Sequence, residues 1–215
     1  MKSGIMSDIA LKHHNLKVLL TQTLAELLLF DEWGEKLLGE AEARCGFMPG
    51  YWQIIFPNGI IEIIDFLENQ YDQKMLELLS EHEIPSKIRD RIDLALKIRI
   101  KYYEPKLIHL KNSIYFARPT NITAAIKIAM RTCNLIWRYA GDQSIDHNYY
   151  TKRGLLLGVY VSSIVYYIQD DSENNLETDQ YITESLSDIV NITSKLKNVL
   201  TLPKMVDIPI IRLFS

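Results

Sequence analysis

Apolar residues recur every three or four positions along almost all of this 215-residue chain, and no stretch alternates apolar and polar residues long enough to make a convincing strand. That regularity restricts the fold to packed helices. After a Ser7–Asp8 start, Leu16, Leu19, Leu20, Thr23, Leu24, Leu27 and Leu28 line one helical face. A second helix spans 35–44 and stops at Gly46. A short third lies near 49–55 and Pro57 closes it. Asn58 caps a long helix over 59–81, and Pro85 opens the next. Pro105, Pro119 and Gly141–Asp142 divide the rest into helices near 106–117, 121–140, 147–170 and 176–200. The reading is all-α, about nine helices, with no repeat and no linker.

Charge is distributed unevenly. Residues 1–83 carry six Lys/Arg against fourteen Asp/Glu, residues 84–153 fourteen against five, and residues 154–215 four against eight. Such a swing reads either as helix faces pairing with one another or as a basic middle surface that meets an acidic partner or anionic lipid. The overall balance of -3 gives no global case for nucleic acid. Two cysteines, Cys45 and Cys133, both placed on apolar helical faces, are too few for a disulfide framework and point to a reducing compartment. The longest apolar run, 154–168, is shorter than the roughly twenty residues of a membrane span. The opening MKSGIMSDIALKHHN has neither a secretory nor an organellar presequence pattern.

No catalytic residue stands out. The histidines (His13, His14, His82, His109, His147) show no Glu-x-x-His, His-Glu-x-x-His or Cys-x-x-Cys spacing, so no metal is signalled. Gly-x-Ser-x-Gly, phosphate-loop and dinucleotide motifs are missing too. The chain reads as a non-enzyme without a cofactor.

Two resemblances sharpen this. A long helix, a helix ending in Gly46, and a short helix closed by Trp52-Gln53-Ile54-Ile55-Phe56-Pro57 resemble the amino-terminal helix-turn-helix of TetR-type regulators. Residues 47–57, however, hold no Lys or Arg to meet phosphates, and only Gln53 could read a base. This argues against nucleic acid as a partner. The second resemblance rests on Trp137, Tyr139, Ala140, Gly141, Asp142 and Ser144, followed by Asp146, Asn148, Tyr149, Tyr150, Thr151, Lys152 and Arg153, then Gln169 and Asp170. These residues resemble the family of the ninth Coq protein of ubiquinone (coenzyme Q) biosynthesis. Tyr149 stands where that family usually has Trp, and His147 where an aromatic is more usual. Two prolines in 203–215 forbid a long regular amphipathic tail helix.

That resemblance implies a TetR-like homodimer: a degenerate helix-turn-helix region at 1–72 and a helical lipid-binding and dimerisation domain at 73–215. It implies a lipid-binding accessory protein, peripheral at a membrane surface. Such a protein would bind an isoprenoid lipid or polyprenyl quinone precursor and present it to the di-iron demethoxyubiquinone hydroxylase. The place would be the bacterial cytoplasm at the inner membrane or, alternatively, the matrix side of the mitochondrial inner membrane. The competing function is a ligand-responsive transcriptional regulator.

Asp142, Asp146, Asn148, Tyr149, Tyr150, Lys152 and Arg153 form the expected partner-docking patch, because tyrosines bury area at little entropy cost. The alternative is a capped helix–helix corner, with Lys152 and Arg153 paired to Asp142 or Asp146. Tyr103, Tyr115, Phe116, Met130, Trp137, Leu156, Tyr160 and Ile164 are the expected lipid-lining set, each of which could equally be core. Gly154 and Gly158 read as tight packing. Ile182, Leu186, Ile189, Thr193, Leu196 and Leu200 form a heptad seam, on its own core or across a dimer.

Overall fold

The computed structural model describes residues 2–101, 105–142 and 147–200, with side chains over 10–101, 105–142 and 151–188. Among them nine α-helices follow one another without a strand: α1 (Lys2–Leu27), α2 (Glu35–Arg44), α3 (Tyr51–Ile55), α4 (Ile60–Glu81), α5 (Ile88–Lys101), α6 (Lys106–Phe116), α7 (Ile122–Tyr139), α8 (His147–Gln169) and α9 (Leu176–Leu200). A 3-10 turn, Glu173–Asn175, leads into α9. The all-α reading holds, and most expected boundaries agree to within a residue or two.

The differences have local causes. Helix α1 is already under way at Lys2, so Ser7–Asp8 is not its start. Helix α5 begins at Ile88, later than Pro85, because the Arg91 guanidinium takes the carbonyls of Pro85 (2.7 Å) and Ser86 (3.4 Å). Asn58 works by donating: its backbone N–H (2.9 Å) and its side-chain amide (3.2 Å) both reach Glu62 Oε2. Cys45 lies just past the last residue of α2, half-buried, and Cys133 is buried on α7; both are free thiols.

Two helices end in the same motif. After α2, Phe47 N–H bonds to Glu42 O (2.9 Å) and Gly46 N–H to Ala43 O (3.2 Å). After α7, Asp142 N–H bonds to Trp137 O and Gly141 N–H to Arg138 O, each at 3.0 Å. This paired pattern needs a left-handed residue past the helix end, and Gly46 (φ 71°) and Gly141 (φ 92°) supply it.

The chain forms two compact units. The first comprises 1–71 and 105–125, the second 72–104 and 126–215. A single division at 72 therefore misses the return of 105–125 to the amino-terminal unit. That unit packs α1, α2 and α3 together over Leu20, Leu24, Leu28, Leu38, Ile55, Phe56, Ile63 and Ile64, with Ile108 of α6 in the same cluster. Buried polar groups tie it: Trp33 Nε1 donates to Asn112 Oδ1 (2.8 Å), and Asn112 Nδ2 donates to Glu68 Oε1 (3.1 Å). Glu42, buried on α2, accepts from the N–H groups of Gly50 (3.1 Å) and Trp52 (2.6 Å) and so caps α3.

In the second unit α5, α8 and α9 pack on one another around Met75, Leu79, Ile92, Leu96, Ile100, Cys133, Ile136, Leu156, Tyr160, Ile182 and Leu186. Asp72 is fully buried inside it. Its carboxylate accepts from Arg99 Nε (2.8 Å), Arg131 Nε (3.2 Å) and Thr132 Oγ1 (2.9 Å). These donors satisfy a carboxylate that burial cuts off from water. Asp170 plays a related part at the start of α9. It accepts from Ser172 N–H and Thr178 N–H (2.8 Å each) and from the Thr178 hydroxyl. Burial raises its pKa, but the bonds from Ser172 and Thr178 outweigh that and hold the carboxyl well below its usual range.

Candidate partner-docking corner

The corner between α7 and α8 is built from one carboxylate. Gly141 turns the chain out of α7 in the left-handed conformation, and Arg91 grips the turn by donating to Ala140 O (3.1 Å). The backbone angle calls for glycine here, and a Cβ added at Gly141 would also crowd Arg91 Nη1 at 3.3 Å. Directly after it, Asp142 accepts from Lys152 Nζ (2.7 Å) and Arg153 Nη1 (3.2 Å), both on the second turn of α8.

Two more bonds fix that turn of α8. Arg153 Nε donates to Asn134 Oδ1 on α7 (2.9 Å), and Trp137 Nε1 donates to Lys152 O (3.2 Å). The Lys152 ammonium also sits over the Trp137 ring, 5.6 Å from its centroid. Helix α8 is thus anchored to the end of α7 by an ion-pair and hydrogen-bond cluster. Asn134 and Trp137 are the members that sequence reading does not assign to it.

This corrects part of the expected docking patch. Asp142 and Arg153 are interior, with side chains 6% and 2% exposed, and they bind each other instead of facing a partner. Lys152, with 39% of its side chain exposed, is the one described charge of the set that reaches solvent. Asn148, Tyr149 and Tyr150 fall in the first turn of α8, immediately before the anchored turn, and their side chains lie outside the described residues. Asp146 lies outside them altogether.

The expected lipid-lining set separates. Tyr115 and Phe116 pack against the core of the amino-terminal unit. Trp137, Leu156, Tyr160 and Ile164 belong to the core of the second unit, and Met130 is half-buried on α7. Tyr103 lies outside the described residues. Among the described residues Gly154 and Gly158 do not mark tight packing: both are exposed, with no heavy atom within 4 Å of an added Cβ. They share a face of α8 with Val161 and Val165, which are also exposed. Of the heptad seam, Ile182 and Leu186 are buried in the second core, and the side chains from Ile189 onward lie outside the described residues. Among the described residues no group of three His, Cys, Asp or Glu side chains could hold a metal.

A protein-family model described as COQ9 matches residues 122–193, which takes in α7, the corner, α8 and most of α9. The resemblance is to the COQ9 family. The ubiquinone biosynthesis protein COQ9-A, mitochondrial, of Xenopus laevis is 25% identical over 175 residues, 80% of this chain and 49% of that protein. The human mitochondrial COQ9 is 26% identical over 132 residues, 60% of this chain and 40% of that protein. The chain spans about half the length of the curated COQ9 relatives it matches. Its fold is TetR-like. A TetR transcriptional regulator from Nitrosomonas europaea superposes with a TM-score of 0.59 at 17% identity, over 80% of this chain and 97% of that one.

Proposed function

We propose that this chain is a non-catalytic, lipid-binding accessory protein of ubiquinone biosynthesis, which presents polyprenyl quinone precursors to the pathway's di-iron hydroxylase. The observation that carries the reading is the COQ9 match over 122–193, which takes in the corner that fixes the start of α8. The curated relatives are mitochondrial, which favours the matrix side of the inner membrane over the bacterial cytoplasm.

The physical need for such a protein is plain. Each CH₂ exposed to water costs about 0.8 kcal/mol, so a polyprenyl tail stays in the bilayer unless an apolar interior receives it. The second unit is aromatic and apolar, and two of its buried hydroxyls, Tyr139 and Ser163, have no hydrogen-bond partner among the described residues. Buried hydroxyls are nearly always paired, so these two stand out. The hydroxylase would dock on Asn148, Tyr149 and Tyr150, held in place by the Asp142 cluster, and two copies would pair through the Gly154–Gly158–Val161–Val165 face.

Lipid extraction of the purified protein followed by mass spectrometry tests the carrier reading, with a co-purifying isoprenoid or quinone precursor as the expected result. Tyr149→Ala and Tyr150→Lys are expected to weaken hydroxylase capture in a pull-down while leaving helical content intact. The competing reading, a ligand-responsive regulator, draws on the TetR-like fold. It requires salt-sensitive operator binding, and the region around α3 presents exposed Met48 and Ile54 where such a protein needs cations.

A further inference from the structure

An asparagine loses its side-chain amide most readily when glycine follows it, because glycine leaves the next backbone nitrogen open to approach. Asn58 is the only asparagine in the sequence that glycine follows. It lies in the turn between α3 and α4 and is exposed. Gly59 has φ 75°, and no heavy atom lies within 4 Å of an added Cβ, so the turn has room for a five-membered ring. Asn112, which a serine follows, is by contrast buried and fixed by its bonds to Trp33 and Glu68.

Glu62 holds this turn. Its Oε2 accepts from the Asn58 N–H (2.9 Å) and from the Asn58 side-chain amide (3.2 Å), and its Oε1 accepts from Lys17 Nζ of α1 (2.7 Å). Burial raises the Glu62 pKa, but the bonds from Lys17 and Asn58 outweigh it and hold the carboxyl below its ordinary value. Glu62 is therefore ionised at neutral pH. Lys17 in turn lies over the Phe56 ring, 4.6 Å from its centroid. One carboxylate thus ties α1, the turn and the first turn of α4 together.

We propose that Asn58 is a deamidation site, restrained by Glu62, and that its conversion to aspartate or isoaspartate undoes this tie at the start of α4. The Gly59 nitrogen attacks the Asn58 side-chain carbonyl carbon, and the new C–N bond closes a succinimide. The C–Nδ2 bond breaks, and Nδ2 leaves as ammonia with the proton from the Gly59 nitrogen. Water then opens the ring at either carbonyl, and no oxidation or reduction takes place. Two features slow the first step: the Gly59 N–H is bonded to Phe56 O (3.0 Å), and the Glu62 charge opposes the negative charge that develops on the reacting amide. The product has no side-chain N–H to donate, so a second carboxylate faces Glu62 where the amide stood and repels it. Isoaspartate also adds a backbone carbon directly before Gly59, whose carbonyl accepts from the N–H groups of Glu62 (3.0 Å) and Ile63 (3.2 Å). The site is independent of the carrier reading.

The test is prolonged incubation of the full chain at mildly alkaline pH, followed by peptide mass mapping for amide loss and enzymatic methyl labelling of isoaspartate. Circular dichroism is the folding control. Asn58 is expected to convert before any other asparagine. Glu62→Gln, which removes the charge and keeps an acceptor, should speed conversion at Asn58 severalfold. Asn58→Asp should lower the urea midpoint, by less as salt screens the two carboxylates. An Asn58 that stays intact while another asparagine converts would overturn the proposal, and so would conversion that begins only in urea. Equal rates in the wild type and Glu62→Gln, or an Asn58→Asp variant as stable as the wild type, would also overturn it.

Discussion

At the residue scale, Asp142 has more depending on it than any other side chain of the COQ9-like corner. Asp142→Ala leaves Arg153 buried without its carboxylate, and a loss of about 3–5 kcal/mol is expected in urea denaturation. Lys152→Ala, on the half-exposed arm of the same cluster, should cost under about 1 kcal/mol. A similar contrast separates the two thiols. Burial first, then the Asp72 carboxylate, pushes the Cys133 thiol up to about 12, so it stays protonated and unreactive. Iodoacetamide at mildly alkaline pH should therefore modify Cys45 in the folded protein and Cys133 only after denaturant is added; mass mapping of the labelled sites decides. Residue roles of this kind were only partly legible. Gly141, Asp142, Lys152 and Arg153 stand out in the sequence as a turn with charges. That Arg153 points inward depends on Asn134, nineteen positions away, and spacing carries no trace of that. Asp72 did leave a signal: it is a charge in phase with Ile64, Leu67, Tyr71, Met75 and Leu79, and a charged residue within an apolar stripe must find buried partners.

At the scale of elements, the sequence marks its own helix boundaries because glycine and proline leave the chain few alternatives. Gly46, Pro57, Pro105 and Gly141 each coincide with a break in the structure. The start of α9 is less visible, since its first-turn amide at Thr178 is capped by Asp170, eight positions earlier. Asp170 also makes α9 sensitive to acid. A carboxyl held below its ordinary pKa adds stability at neutral pH, and that stability is lost progressively as pH falls below about 5. The wild-type urea midpoint should therefore drop through this range, and Asp170→Asn should start lower at pH 7 and fall less steeply. The exposed face of α8 is the element whose outward side the sequence misreports. Gly154 and Gly158 imply close approach of a helix, and among the described residues nothing approaches. If the approaching helix is that of a second copy, Val161→Glu with Val165→Glu should convert a dimer to a monomer in light scattering.

At the scale of the whole molecule, the all-α architecture follows from the three-to-four periodicity together with the capped breaks, and its TetR-like form from the resemblance carried by the first three helices. The partition into units does not follow from them, because it depends on where α6 packs. Its Ile108 joins the first core and its Asn112 meets Trp33, seventy-nine positions upstream. This has a consequence for how the protein comes into being. A nascent chain that has reached residue 72 still lacks Ile108 and Asn112, and the first unit is not complete until residue 125 has been made. The opening helices must therefore wait on the ribosome, with Trp33 unmatched, while an intervening stretch that belongs elsewhere is threaded out. A fragment ending at 72 should accordingly be poorly soluble and protease-sensitive, a state that every newly made copy passes through before it closes.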